Sequence, residues 1–379
     1  MQTASTVSAR AWLTSLAFLL LLLRPAAAFE TVAPHAMMID FETGIVLFEK
    51  DADARVPPAS LLKLMTVAVI FNELKKGTVS LDDVYTVSEH AWRTGGAASG
   101  GSTMFLPLNS QVALGDLIKG IVIQSGNDAT IVAAEGIAGS VEAFAGMMNA
   151  RAAEIGLTGS RFVNPHGLPA EGQVVTMRDL TTLAAHIIRD YPEHYHLFSE
   201  EAFTFNGITQ RSRNPLLGLG ADGLKTGHTS EAGFGLVASA KNPERRIVFA
   251  MSGMTSQNQR AEEARAMMAF GLEGFSEVTV QRSGESVGYA PVTDGTASQV
   301  ALATKNDVRL LGPREGAGGY TKIVVGARTL PAPVSPGTPA GTLRIMRAGL
   351  TVHEEPLFTT DAIEEDSFIR RFWSNITGG

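Results

Sequence analysis

Between Ser60 and Lys76 the chain is apolar on nearly every side of the helix it would form. Leu61, Leu62, Leu64, Met65, Val67, Val69, Ile70 and Phe71 leave little room for a solvated face. Such a helix has to be central, so the rest of the chain must supply the apolar surface that wraps it. A hydrophobic content of 45% is sufficient for that. Its interior lysine, Lys63, then becomes costly unless it is partnered or neutral. A helix beginning after Pro57-Pro58 sets Ser60 and Lys63 at i, i+3, projecting from one face. Two readings fit this pair: a capped helix with a snorkelling lysine, or a hydroxyl nucleophile beside a desolvated amine that serves as its base.

The N-terminal residues stand apart from this fold. Arg10, the apolar run Ala11–Leu23 and the small residues Ala26-Ala27-Ala28 form the pattern of a secretory signal peptide over residues 1–28, cut before Phe29. The apolar run is too short to span a bilayer comfortably. Losing Arg10 and Arg24 takes the formal charge from −7 to −9, which disfavours nucleic acid as a partner. With no cysteine, disulfides and thiolate metal sites are excluded, although an exported protein could have used them.

After the signal, the short apolar runs Ala36–Phe41 and Ile45–Glu49 flank a turn and predict a hairpin. The glycine-rich "TGGAASGGSTMFLPLN" (94–109) predicts a mobile loop and lacks the Gly-Lys-Ser/Thr ending of a phosphate cradle. Helical periodicity runs from Leu114 to Leu157 and again over Met177–Asp190. "DGLKTGHT", "GFGLVASAKN" and "RRIVFAMSGM" predict an antiparallel meander, closed by a helix over 259–275. Beyond Glu277, Gly, Pro, Val and Thr dominate and long helical periods vanish, predicting a small all-β module over 277–360. In the last stretch Phe368, Ile369, Phe372, Trp373 and Ile376 share one helical face. That pattern suits an interfacial anchor over 361–379, or a helix docked on its own β module.

Two further stretches change the weight of Ser60-x-x-Lys63. "QSGNDA" places Ser125 and Asn127 two residues apart on a turn, where a hydroxyl and a carboxamide could meet both an amine and a substrate amide; a plain turn would use the same residues. "LKTGHT" places Lys225, Thr226 and Gly227 on a predicted strand, suited to a carboxylate and to close backbone approach. Each is weak alone. In this order, 65 and then 100 residues apart, they resemble the motif triple of penicillin-binding proteins and class A β-lactamases. "PASLLKLMT", "LIKGIVIQSGNDA", "FTFNGITQRSRNPLL" and "DGLKTGHTSEAGFGLVASA" extend the likeness over nearly the whole mature chain. The chain is similar to low-molecular-mass penicillin-binding proteins of the D-alanyl-D-alanine carboxypeptidase type.

That resemblance implies an α/β (α+β) architecture. A penicillin-binding/β-lactamase-like transpeptidase domain, an antiparallel sheet flanked by helices, would span 29–276. The all-β domain and the membrane-anchoring helix would follow. It also implies roles, with no cofactor and no metal. Ser60 would be the nucleophile, Lys63 its base, and Ser125 the proton relay to the leaving amine. Asn127 would hold the peptide, and Lys225 and Thr226 would bind the terminal carboxylate. Gly227 would admit the ligand backbone, and the N–H groups of Ser60 and His228 would form the oxyanion hole. Arg260 matches a carboxylate-site arginine more loosely, a surface ion pair being the alternative. The implied substrate is the D-Ala-D-Ala end of peptidoglycan pentapeptides, with β-lactams as inhibitors, on the outer face of the inner membrane.

Competing readings carry less. The Glu-x-x-Leu-Asn setting of a class A β-lactamase is missing, the corresponding region being "GSRFVNPHGLPAEG". "GESVG" (284–288) matches a nucleophile elbow by letter only, since Pro291 and turn residues follow where a helix is required. His194-x-His196 lacks a third metal ligand. His166 is expected to be a satisfied hydrogen-bonding group. A D,D-endopeptidase, or a non-catalytic penicillin-binding scaffold or sensor, are the functional alternatives.

Overall fold

The apolar run forms the helix Lys63–Lys76, and its Leu64, Met65, Ile70 and Phe71 side chains are fully buried. In the computed structural model, residues 29–314, 319–347 and 349–366 are described. The expected signal peptide and the aromatic face of the C-terminal run lie outside them. The chain divides into two units, Thr31–Phe275 and a second that begins at Ser276.

In the first unit a five-stranded antiparallel sheet has the order Val46–Lys50, His35–Asp40, Arg246–Met254, Gly233–Lys241, Ala221–Thr229. The predicted hairpin and meander are therefore one sheet, with the N-terminal hairpin paired beside the last meander strand. Alternation along a strand places neighbours on opposite faces. Met37 joins the main core, where the Met177–Asp190 helix packs, while Met38 packs on Gly271 of the helix Gln257–Glu273. Helices on both faces explain why "RIVFAMSGM" is continuously apolar rather than alternating. Phe71 carries the central helix into the core and stacks on His194 at 4.9 Å between centroids. His194 is thus a packing residue, and no cluster of metal-ligating side chains occurs among the described residues.

Two expectations need refinement. The helical stretch from Leu114 to Leu157 is broken into Leu114–Lys119, a π-turn Gly120–Gln124, Asn127–Ala138 and Val141–Ile155. The break falls at Ser125, whose backbone is left-handed with φ 64°. The glycine-rich segment is not a featureless loop: it holds a π-turn (Ala91–Gly95) and a 3-10 turn (Ala97–Ser99), and then docks on Asp128.

The second unit is all strand. Six strands pair in the order Tyr320–Val325, Pro339–Arg347, Leu350–Thr359, Gln299–Ala303, Gly288–Thr293, Leu330–Pro331, and Phe275–Gln281 pairs with Val308–Pro313. Val300, Leu302, Leu343, Ile345 and Leu357 form its core. "GESVG" spans the turn between two of these strands, without a following helix. Pairing continues past Thr359: Ile363 bridges Val334 and Glu365 bridges Gly295. The described residues 361–366 are extended rather than helical.

Candidate active site

Ser60 sits in a 3-10 turn, Ala59–Leu62, that leads directly into the central helix. Three residues per turn line up positions i and i+3, so Ser60 and Lys63 face each other more directly than in an α-helix. Ala59 adopts φ 46°, a left-handed conformation uncommon for alanine. Such strain persists only where neighbours enforce it. Gly167 is one of them: any Cβ there would collide with the Ala59 carbonyl oxygen.

Lys63 is 1% exposed, and its Nζ has three partners. Ser60 Oγ lies at 2.9 Å, and the amine donates to Asn127 Oδ1 at 2.8 Å and to the His166 carbonyl at 2.6 Å. Burial, reinforced by the positive charge of Arg213, lowers its pKa from the ordinary lysine value to about 7. The "NPHGL" segment thus acts through backbone: His166 offers its carbonyl to Lys63, and Pro165 offers its own to Thr66 at 2.6 Å. The His166 ring accepts from the Leu168 N–H at 3.1 Å, and burial pushes its pKa down to about 3. It is a neutral, satisfied group.

Ser125 and Asn127 flank the start of the helix Asn127–Ala138. Asn127 is spoken for by Lys63. The Ser125 hydroxyl is buried with no hydrogen-bond partner, yet it lines the cleft. A buried orphan hydroxyl costs about 1–3 kcal/mol, so this one is available to a ligand. Asp128, absent from the sequence reading, holds this corner together. Fully buried, it accepts from Thr103 Oγ1 (2.6 Å) and the backbone N–H groups of Met104 (2.8 Å) and Leu106 (3.2 Å).

On the opposite wall runs the edge strand Ala221–Thr229. Gly227 lies against the nucleophile turn: a Cβ there would stand 3.1 Å from Leu61 N and 3.2 Å from Ser60 N. Thr226 and His228 line the cleft, the imidazole stacking on Phe234 at 3.9 Å. Lys225 is buried beneath this wall, its Nζ donating to the Thr226 carbonyl at 2.9 Å. Burial, then the charges of Lys63, Arg213 and Arg260, hold its pKa well below the usual lysine range.

Arg213, also missed in the sequence, lines the cleft and donates to Ser102 Oγ at 2.7 Å. Arg260 is buried rather than a surface ion pair; burial and Arg213 lower its pKa to about 10. Among the described residues no carboxylate forms an ion pair with Lys225, Arg213 or Arg260. The cleft, about 410 Å³, therefore joins a Ser–Lys pair to a cationic end that lacks an internal anion, and no acidic residue lines it. An extended ligand bearing a terminal carboxylate suits that arrangement.

Known families match most of the chain. Residues 24–255 match the family model described as D-alanyl-D-alanine carboxypeptidase. The chain belongs to this carboxypeptidase family. Residues 275–365 match the C-terminal domain of penicillin-binding protein 5. The D-alanyl-D-alanine carboxypeptidases DacA and DacC of Escherichia coli are 37% and 38% identical, over 89% of this chain and 85% and 86% of theirs. Among solved structures, penicillin binding protein 5 of Haemophilus influenzae superposes with a TM-score of 0.69 at 33% identity. That match covers 89% of this chain and 99% of the other. The carboxypeptidase DacD of Francisella tularensis gives 0.72 at 27%, covering 90% and 95%.

The tight contact at Gly227 yields a direct prediction. Gly227→Ala should push the strand from the nucleophile turn and lower the penicillin acylation rate at least about tenfold, since small misplacements at a reacting centre are costly. Stopped-flow acylation checks it; a rate within twofold of wild type would show that the close approach is dispensable.

Proposed function

We propose that Ser60, Lys63 and Ser125 carry out the chemistry of a serine-type D-Ala-D-Ala carboxypeptidase that trims the terminal D-alanine from peptidoglycan pentapeptide stems. The observation that carries the assignment is the set of partners around Lys63. Two are carbonyl oxygens, which only accept, and the third is a hydroxyl, which can donate. A neutral amine has two N–H groups and one lone pair, so its lone pair is left facing Ser60. With a pKa of about 7 the amine is a competent base above that pH and is lost as one below it.

Ser60 Oγ attacks the carbonyl of the penultimate D-alanine as its proton passes to Lys63. The N–H groups of Ser60 and His228 stabilise the oxyanion, each such donor contributing on the order of 3 kcal/mol. Thr226, Arg213 and Arg260, with the Lys225 amine behind them, hold the terminal carboxylate, while Asn127 keeps Lys63 in place and holds the peptide. The C–N bond breaks as Ser125 relays the proton to the departing amine. Water then hydrolyses the acyl-serine. A β-lactam enters the same path and acylates Ser60.

For the rest of the chain we infer export by residues 1–28 and attachment to the outer face of the inner membrane by the run containing Phe368, Phe372 and Trp373. The charges there are mixed, Arg370 and Arg371 against Glu364, Glu365 and Asp366, so the aromatic face rather than anionic lipid supplies the binding.

Two measurements check these assignments. Purified mature protein should release D-alanine from a peptide ending in D-Ala-D-Ala, and Ser60→Ala should abolish both release and covalent penicillin labelling. Labelling at Ser60 without release would favour an endopeptidase or sensor. Mature protein should float with lipid vesicles and a chain ending at 366 should not; equal flotation of the two would remove the anchor.

A further inference from the structure

The carbonyl of His166 belongs to an excursion of the chain that is held mainly by side chains. Arg161 and Val174 bridge each other, and Val175 bridges Val56, which leads into the nucleophile turn. Between these anchors, residues 162–173 form neither helix nor strand.

Two buried carboxamides organise the excursion, Asn164 at 8% and Gln173 at 5% exposure. Gln173 Oε1 accepts from the N–H groups of Val163 and Asn164, both at 3.1 Å, and Gln173 Nε2 donates to the Leu168 carbonyl at 2.8 Å. Asn164 Nδ2 donates to that same carbonyl at 3.0 Å, and Asn164 Oδ1 accepts from the Gly167 N–H at 2.8 Å. Both heteroatoms of each amide are therefore spent on backbone groups on either side of His166. On the Pro165 side Thr66 Oγ1 also donates to the Pro165 carbonyl. A polar network satisfied in this way is rigid, and the direction of the His166 carbonyl is fixed with it.

That direction matters to the base, and here the reasoning rests on the carboxypeptidase reading. The neutral Lys63 amine has two N–H groups and two partners that only accept, Asn127 Oδ1 and the His166 carbonyl. Only while both accept is the lone pair left for Ser60. If the His166 carbonyl turns away, an N–H is released, the amine rotates to donate to Ser60 Oγ, and the lone pair faces elsewhere. Neither Gln173 nor Asn164 lines the cleft or bonds to Lys63. We propose that Gln173, with Asn164, is a positioning residue for acylation, acting on Lys63 through the His166 carbonyl.

The experiment separates binding from acylation. Stopped-flow reaction of the mature protein with a fluorescent penicillin over a range of concentrations gives two quantities: the dissociation constant of the complex before bond formation, and the acylation rate constant. The rate constant is read from the reactive sites alone, so a partly unfolded preparation does not lower it. Gln173→Met and Asn164→Ala should each slow acylation about tenfold, the cost of a modest misplacement at a reacting centre. Their dissociation constants should stay within about twofold of wild type, since the groups that hold the carboxylate are untouched. The double variant should be no more than about twofold slower than the slower single variant, because both act through one carbonyl. Where one variant does not fold, the other carries the comparison with wild type. A loss smaller than about threefold, a dissociation constant that weakens in step with the rate, or single losses that multiply in the double variant would overturn the positioning role alone. Absence of covalent labelling in the wild type would overturn the serine-nucleophile reading and the positioning role with it.

Discussion

A lysine amine with no charged hydrogen-bond partner, buried beside a serine, sets the terms for the rest of this molecule. An isolated charge in an apolar interior is so costly that the group gives up its proton instead. Lys63 is kept in that condition by three hydrogen-bond partners from three separate segments: its own turn, the Ser-x-Asn corner and the "NPHGL" segment. None of the three offers a negative charge. The central helix that presents Lys63 is buried on nearly all sides, so the amine cannot swing out to water.

The cationic end of the cleft follows the same electrostatics. Arg213 and Arg260 depress Lys225, and Arg213 depresses both Arg260 and Lys63. A substrate carboxylate is the missing charge. Its arrival offsets the repulsion, so the free energy of binding is largest for a ligand that ends in an anion at a fixed distance from the serine. The structure thereby couples recognition of a C-terminus to the geometry of attack.

Much of this was legible in the sequence because it is carried by side chains at short, fixed spacing. Ser60 and Lys63 are three residues apart, and the helix Met177–Asp190 has the bounds its apolar stripe predicts. What was not legible depends on contacts distant in sequence. The carbonyl of His166 meets Lys63 across 103 positions, and a backbone oxygen leaves no trace in residue identity. Asp128 was not singled out in the sequence, and its partners Thr103 and Met104 lie in a segment whose glycines suggested only mobility. Arg213 sits in a polar stretch after a hairpin, where nothing local distinguishes it from a solvated charge. The break at Ser125 was hidden for another reason: apolar periodicity continues through Gly120–Gln124, so the left-handed residue that ends the turn has no hydrophobic signature.

The central claim is that Lys63 is a neutral amine near neutral pH, and NMR titration of the lysine side-chain carbons addresses it directly. With 13C-lysine labelling and Lys63→Arg used to assign the resonance, the Lys63 Cε signal should titrate with a midpoint of about 7 in the free protein. A Lys63 signal that stays in its protonated position up to pH 9 would contradict the account, because the group facing Ser60 would then have no lone pair to receive a proton.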